Sequence, residues 1–106
     1  MLKVWTKEAY LMAYLLFEHE IEDFNRWKPV YDGHEPARKK AGLKEVLLLQ
    51  GSENPRFVVL LFEVEEINKA REFLASDDIR DAMKRAGVVG KPVINFLDKA
   101  PMRKAA

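Results

Sequence analysis

The residues of this chain that could carry out chemistry are concentrated between positions 19 and 42. His19, His34 and Arg38 are the candidate catalytic groups, since an imidazole gains and releases a proton near neutral pH. A guanidinium group can bind a carboxylate, enolate or phenolate through two parallel hydrogen bonds. The sequence shows no nucleophile paired with a base, no recognised metal-ligand spacing and no phosphate-binding loop. It therefore indicates acid–base or anion-binding chemistry without identifying a reaction.

A stripe of aromatic residues leads to two of these polar groups. On an ideal helix five residues would lie within about 80° of one another, namely Phe24, Trp27, Tyr31, His34 and Arg38. An apolar stripe that becomes polar at its C-terminal end is typical of one wall of a small-molecule pocket. The candidate substrate-binding residues are Trp27, Tyr31, Phe24, Tyr14 and Asp23.

The catalytic candidates also have structural interpretations that the sequence leaves open. His34 stands two residues before Pro36, where a histidine can simply terminate a helix. Arg38 begins the basic run 38–40, which is typical of a solvated face or of pairing with Glu35. His34 is therefore either a catalytic residue or the end of a helix. Arg38 either binds a ligand or lies in solvent.

The other candidates have equally simple alternatives. Trp27 is a large residue that can belong to the core while also lining a pocket. Tyr14 and Tyr31 can be core residues whose hydroxyl groups are satisfied elsewhere. Asp23 lies four residues after His19 and would reach it on a helix, although a helix N-cap is the favoured role for Asp23.

Hydrophobic periodicity predicts the elements that position these residues. Strands are predicted at 9–18, 43–50, 56–64 and 92–97. Helices are predicted at 23–41, 66–75 and 77–86. Asp77 is expected to cap the last helix and Gly87 to end it. Weak alternation over residues 1–7 leaves open a further strand or an ordered arm.

The helix that carries the aromatic stripe should be interrupted. Pro29 lacks the amide hydrogen that a helix interior requires, and Gly33 disturbs the pattern again. We therefore expect a kink or a split, with a resumed segment at 37–41 that ends at Gly42.

The order strand, helix, strand, strand, helix, strand predicts an α+β fold of the ferredoxin-like βαββαβ type. Such a fold has a four-stranded antiparallel sheet with both helices on one face, and the first and third strands are central. Both faces of the predicted third strand are apolar, as Leu60 and Leu61 illustrate. Because the helices can cover only one face, the other would be an apolar patch of the kind that marks an interface. A second copy of the chain is the simplest cover, so we expect a homodimer.

The composition excludes several other classes of protein. The 106 residues are 48% hydrophobic and 33% charged, which is typical of one globular domain. The net charge is +1 with both signs interspersed, and residues 56–62 lack the pattern of an RNA-binding strand, so no nucleic-acid partner is expected. Without a signal-peptide core or about 20 consecutive apolar residues, no membrane partner is expected. The absence of cysteine is compatible with the reducing cytoplasm, where we expect the protein.

A set of residues spread along the chain resembles that of a known superfamily. The matching positions are His19, Asp23, Trp27-Lys28-Pro29, His34, Arg38, Gly42, Ala86-Gly87-Val88 and Gly90-Lys91-Pro92. They resemble the dimeric α/β barrel superfamily, and within it small cyclase-like and antibiotic-biosynthesis-monooxygenase-like members. The resemblance implies a single domain over residues 1–106 with a core at 9–97 and terminal arms at 1–8 and 98–106. It also implies a pocket between the sheet and the helices of each protomer.

The superfamily spans many activities, so the resemblance does not select one. It favours a cofactor-independent cyclase-like or monooxygenase-like enzyme acting on an aromatic or polyketide-like compound. The alternative is a non-catalytic dimer that binds a metabolite or responds to stress. Haem-using members rely on an axial histidine that neither His19 nor His34 matches, so we expect no cofactor and no metal.

Overall fold

The computed structural model describes residues 13–100. In chain order these residues form β1 (Ala13–Ile21), α1 (Phe24–Gly33), α2 (Glu35–Lys40), β2 (Leu43–Gln50), β3 (Phe57–Val64), α3 (Ile67–Leu74), α4 (Asp77–Ala86) and β4 (Val88–Asp98). The segment 1–7 and the predicted beginning of the first strand at 9–12 lie outside the described residues. None of these helices is long and apolar enough to cross a membrane, as judged over residues 13–100.

The four strands form one antiparallel sheet in the order β2-β3-β1-β4. The predicted α+β fold is therefore confirmed, with β1 and β3 in the centre and Pro92 in an edge strand, where a missing amide hydrogen is tolerated. Alternate residues of the central strands, such as Leu15 and Leu60, are buried beneath the helices. This inner face of the sheet is the floor of the core.

The helix that carries the aromatic stripe is split, although not where proline stands. Pro29 lies inside α1, and the break follows Gly33, where the backbone amide of His34 donates to Val30 O at 3.1 Å and Tyr31 O at 3.2 Å. Helix α2 then begins at Glu35, two residues earlier than expected. The short interruption lets α2 continue on the same side of the sheet as α1.

Two helix caps were tested by the structure. The Asp23 side chain accepts a hydrogen bond from the Asn25 amide at 3.2 Å, as an N-cap should. The expectation that Asp77 caps α4 is wrong, because Ser76 Oγ accepts from the Ile79 amide at 3.2 Å and Asp77 is the first helical residue.

Arg26 fastens the end of α4 to α1. Its guanidinium group donates to the carbonyl oxygens of Lys84 at 3.3 Å and Arg85 at 3.1 Å, and it forms an ion pair with Glu22 at 2.6 Å. The bond to Arg85 satisfies a carbonyl group at the helix end, and the bond to Lys84 adds to the one that its oxygen accepts from the Gly87 amide. Gly87 ends α4 at a φ of +78°, a left-handed conformation that strains residues other than glycine, and an added Cβ would make a tight contact of 3.2 Å with Arg26 Nη1.

The opposite, outer face of the sheet carries an apolar group of residues around Leu61, with Glu18, Glu63 and Lys44 on the same face. It is not covered by any element within residues 13–100. Leu47, Leu49 and Val93 are 47%, 49% and 53% exposed. Leu61 of β3 stands between Leu16 and Leu47 in the strand register, in the middle of this face. Apolar residues that neighbour one another on an exposed sheet face are typical of a contact surface.

Candidate functional site

A partly open cavity lies between the inner face of the sheet and the helices. Its volume is about 70 Å³, and its walls are almost entirely apolar, with Phe17, Leu60 and Phe62 on the sheet and Phe73 and Met83 on the helices. A buried water molecule needs about 10–15 Å³. The cavity therefore has room for several water molecules or for one small ligand.

One wall of the cavity is a continuous stack of flat side chains. The Trp27 and Tyr31 rings lie parallel, with centroids 4.7 Å apart and planes inclined by 13°. The Arg38 guanidinium carbon lies 3.6 Å from the centroid of the Tyr31 ring, and Phe24 packs on Trp27 at 5.6 Å. We call these four residues the aromatic column. The stripe seen in the sequence thus keeps its direction across the break at Gly33, because α2 follows α1 so closely.

Arg38 is buried rather than solvated. Its residue is 8% exposed, and Nη1 donates to the backbone oxygen of Tyr31 at 2.7 Å. Burial lowers the pKa of Arg38, and the carboxylates of Glu35 and Glu45 partly offset this effect. Neither carboxylate is within ion-pair distance of it, so the pairing with Glu35 considered from the sequence does not form among the described residues. A guanidinium group stays charged in proteins, so the site contains a buried cation.

Tyr31 is held in place by a residue that the sequence pattern did not indicate. Its hydroxyl group donates to Glu45 Oε1 at 2.8 Å. Burial, together with this hydrogen bond, raises the pKa of the Tyr31 hydroxyl, so it remains protonated. Glu45 faces the helices just before an irregularity between Glu45 and Leu47 in the pairing of β2 with β3. Such bulges re-aim side chains, and the uniform composition of β2 gives no sign of one.

His19 is buried in the cavity wall with an unsatisfied nitrogen. The residue is 5% exposed, and its ring packs edge-on against Phe17 at 5.0 Å and against Trp27 at 5.6 Å. The Nδ1 atom has no hydrogen-bond partner among the described residues. A buried polar atom without a partner costs about 1–3 kcal/mol, so a hydrogen-bonding ligand at this nitrogen would relieve a real penalty.

Acidification should destabilise the protein through His19. Burial lowers the pKa of His19 from 6.5 to about 4, so the unfolded chain binds the proton first as the pH falls. Stability is therefore lost between pH 6.5 and 4, and the loss between pH 7 and pH 5 should be about 2 kcal/mol from this residue. Urea denaturation at both pH values would show it.

The matched control for this pH effect is His19→Leu, which removes the titrating group. This variant should lose about 2 kcal/mol less than the wild type between the same two pH values. An equal loss in both proteins would contradict a neutral, buried His19.

His34 is held by a carboxylate from the other helical layer. Its Nε2 lies 2.8 Å from Asp78 Oδ2 on the first turn of α4, and its ring stacks on Phe73 at 5.7 Å. The side chain is only 12% exposed and lines the cavity. With Nε2–H donating to the carboxylate, the second ring nitrogen is left to act as an acceptor. Asp78 is 44 residues away in sequence, and no local pattern could have connected the two.

Two predicted substrate-binding residues do not belong to this cavity. Tyr14 alternates with the inward-facing Leu15 and therefore lies on the outer face of the sheet, opposite Glu63 and Leu97. Asp23 is exposed and is occupied as the N-cap of α1, not by His19. Their positions give no support to a ligand contact within the protomer.

The structure brings the remaining candidates together. The cavity is lined by His19, Trp27, Tyr31, His34 and Arg38, while Phe24 supports Trp27 from behind. Among residues 13–100 no group of three or more potential metal ligands occurs. The arrangement can provide a base at His34, a cation at Arg38 and a neutral hydrogen-bonding group at His19.

The ferredoxin-like sheet with helices on one face defines the structural class of the protein, and solved structures share this fold. A putative antibiotic biosynthesis monooxygenase from Bordetella bronchiseptica is similar at a TM-score of 0.72 and 16% identity, over 86% of this chain and 99% of that one. A conserved protein from Methanosarcina mazei Go1 reaches 0.69 at 14% identity, over 88% and 97%. SnoaB, a cofactor-independent oxygenase from Streptomyces nogalater, reaches 0.66 at 10% identity, over 86% and 95%.

These likenesses confirm the resemblance inferred from the sequence at the level of the fold. No family model matches the sequence, and no curated protein matches it. At identities of 10–16%, the shared fold does not transfer an activity.

Proposed function

We propose that the chain is a homodimeric enzyme that works without metal or bound cofactor on a small aromatic compound, through cyclase-like or monooxygenase-like chemistry. The main support for this proposal is that His19, His34 and Arg38 all line one apolar cavity. Ligand sites are typically apolar with few convergent polar groups, which this cavity reproduces. The cofactor-independent oxygenase among the structures of the same fold is compatible with this proposal. A cytoplasmic location stays a prediction.

The proposed chemistry starts with proton removal by His34. Nε2–H donates to Asp78, so the free ring nitrogen would take a proton from a C–H or O–H group made acidic by an aromatic ring or carbonyl. The electrons of the broken bond remain on the ligand as an enolate or phenolate. The resulting imidazolium is stabilised by Asp78, and the ligand oxyanion by Arg38.

The size of the cavity favours a small substrate over a large one. Sites for drug-sized ligands measure about 300–1,000 Å³, whereas this cavity measures about 70 Å³. A compound with a single ring suits a cavity of this size. A fused polyketide would enter only if the helices moved. We therefore propose a single-ring aromatic substrate.

Removing the partner of His34 should slow the reaction without weakening binding. In Asp78→Asn the amide no longer stabilises the imidazolium, so kcat should fall by at least about tenfold with KM little changed. The assay is deuterium incorporation from D₂O at the carbon-bound positions of a panel of single-ring phenols and aryl ketones, followed by NMR, because hydroxyl protons exchange without an enzyme. His34→Gln should reduce exchange by about 10²- to 10⁴-fold.

The matched control is Asp77→Asn, which removes the same charge one residue earlier on the same helix. Asp77 is paired with Arg80 and its side chain is 99% exposed, so this variant should exchange at the wild-type rate. Equal rates in the wild type and His34→Gln across the panel would contradict proton abstraction by His34.

A non-catalytic metabolite-binding or stress-responsive dimer is the second candidate. It is favoured by the tight packing around the cavity, since Trp27 is 2% and Phe62 3% exposed. One experiment distinguishes the two functions. Native mass spectrometry of freshly purified protein identifies a bound compound, and that compound is then tested for exchange in D₂O. Binding without exchange supports the binding module.

The homodimer is proposed from the outer face of the sheet. Leu47, Leu49 and Val93 lie exposed there beside the partly exposed Leu61. Packing two such faces together would remove this apolar surface from water, and a stable interface should bury at least about 1,200 Å² in total.

A further inference from the structure

Arg38 stands where the cavity meets a second depression in the surface. This outer groove, about 590 Å³ in volume, lies between α2 and the ends of β2 and β3 and is lined by charged residues such as Lys39, Glu63 and Glu65. Arg38 and Leu43 line both the groove and the cavity. The two spaces are therefore neighbours, and Arg38 is part of the boundary between them.

The guanidinium group at this boundary has unused hydrogen-bonding capacity. Arginine carries five N–H donors, and within residues 13–100 only Nη1 of Arg38 has an acceptor, the backbone oxygen of Tyr31 at 2.7 Å. Buried charges in proteins are normally paired. Glu35 and Glu45 influence Arg38 from a distance, but Glu45 already accepts from the Tyr31 hydroxyl group.

The surroundings of Arg38 favour an anion on one side only. No aspartate or glutamate lines the cavity, and His19 is neutral, because burial lowers its pKa to about 4. The cavity therefore presents largely apolar walls and one cation, whereas the groove carries both signs of charge, with four glutamates beside Lys39 and Lys44. A ligand that suits both the Arg38 cation and the apolar walls has its charged group at Arg38 and its apolar body in the cavity.

The far end of the cavity adds a second requirement. His19 contacts Trp27, and Arg38 contacts Tyr31, so the two polar groups are separated along the aromatic column by the Trp27–Tyr31 stack. His19 lines the cavity at this end. Its Nδ1 is fully buried and has no partner among the described residues, so it gains a hydrogen bond if the ring turns towards a ligand. A ligand with a polar substituent opposite its charged group would satisfy both ends.

We propose that the ligand is a small organic carboxylate with a single-ring body and a polar substituent at the opposite end. Its carboxylate binds Arg38 on the cavity side, away from the glutamates of the groove, its ring occupies the cavity, and its substituent meets His19. This proposal rests on the proposed function only in taking the cavity as the ligand site. It does not depend on the proton transfer at His34.

The test compares acids with neutral compounds of the same shape. Benzoate, 4-hydroxybenzoate, benzamide and 4-hydroxybenzamide are titrated by calorimetry at pH 7.5, and the fluorescence of Trp27 is followed in Trp5→Phe, which leaves one of the two tryptophans. Benzoate should bind at least about tenfold more tightly than benzamide, because a charge-assisted pair replaces a neutral contact. The 4-hydroxyl group should strengthen binding several-fold in the wild type and not in His19→Leu.

Variants at the boundary separate Arg38 from the general charge of the groove. The preference for benzoate should disappear in Arg38→Met and shrink in Arg38→Lys, which keeps the charge but loses the planar fork. It should persist in Lys39→Met, which removes a neighbouring cation of the groove. If Arg38→Met does not fold, the comparison of benzoate with benzamide binding by the wild type and by Arg38→Lys still tests the proposal.

Equal binding of benzoate and benzamide by the wild type would overturn the carboxylate proposal, as would a preference that survives in Arg38→Met. Failure of all four compounds to bind would overturn it as well. The proposed function fails separately, through the deuterium-exchange assay with phenols and ketones that carry no carboxylate.

Discussion

Replacing Trp27 by alanine is expected to lower the free energy of unfolding by about 3–5 kcal/mol, the usual cost of truncating a large buried aromatic residue. Trp27 is 2% exposed and occupies the middle of the aromatic column, between Phe24 and Tyr31. It also packs against the His19 ring. Its removal would join a new void to an existing cavity that the surrounding residues already fail to fill. Urea denaturation with a global probe such as circular dichroism measures the loss.

Two further variants show whether the loss arises from the position of Trp27. Trp27→Phe keeps an aromatic ring in the column and should cost less than Trp27→Ala. Phe24→Ala removes a ring that is only partly buried and has one aromatic neighbour, so its cost should also be smaller. A Trp27→Ala protein with the wild-type unfolding midpoint would show that Trp27 is not part of the core.

The strands were predictable because their patterns are local. Alternation along residues 57–64 separates Leu60, which is 3% exposed, from the partly exposed Leu61. The same pattern fixes which face meets the helices. The order of the elements then leaves few topologies, and the observed order of strands is the expected one.

The details that sequence reasoning missed depend on competition between neighbouring residues. Ser76 and Asp77 are both good N-caps, and only the backbone geometry decides that Ser76 takes the role. Pro29 and Gly33 were both expected to interrupt the helix, and the structure splits it after Gly33 while α1 continues through Pro29. The irregularity in β2 that directs Glu45 towards Tyr31 leaves no trace in the composition of the strand.

The candidate site also contains residues that the sequence could group and residues that it could not. Trp27, Tyr31 and Arg38 could be grouped in advance, because their spacing follows the helical repeat and the break at Gly33 is short. Their partners Glu45 and Asp78 come from other elements, so only the tertiary structure reveals them. A helical reading of the segment around His19 also could not work, because His19 is in a strand and its ring points to the core.

A lysine at position 61 is expected to dissociate or unfold the proposed homodimer. Leu61 lies on a central strand, and its neighbours in register on the outer face are Leu16 and Leu47. In the dimer its side chain would be enclosed between two sheets, where an unpaired ammonium group is strongly destabilising. Light scattering should give twice the chain mass of 12.3 kDa for the wild type and a monomer, or loss of folded protein, for Leu61→Lys.

The matched control places the same charge on the helical side of the molecule. Ala75 is exposed at the end of α3, so Ala75→Lys should keep the mass and the stability of the wild type. Because Leu61 is only partly exposed within one protomer, a lysine there can unfold the chain without any interface. Dimerisation is the cause only if the unfolding midpoint of the wild type rises with protein concentration and that of Leu61→Lys does not. A wild-type protein that stays at 12.3 kDa at micromolar concentration would refute the dimer. In that case a monomer would carry its apolar outer face in water, and the cavity beneath the helices would remain the candidate ligand site on its own.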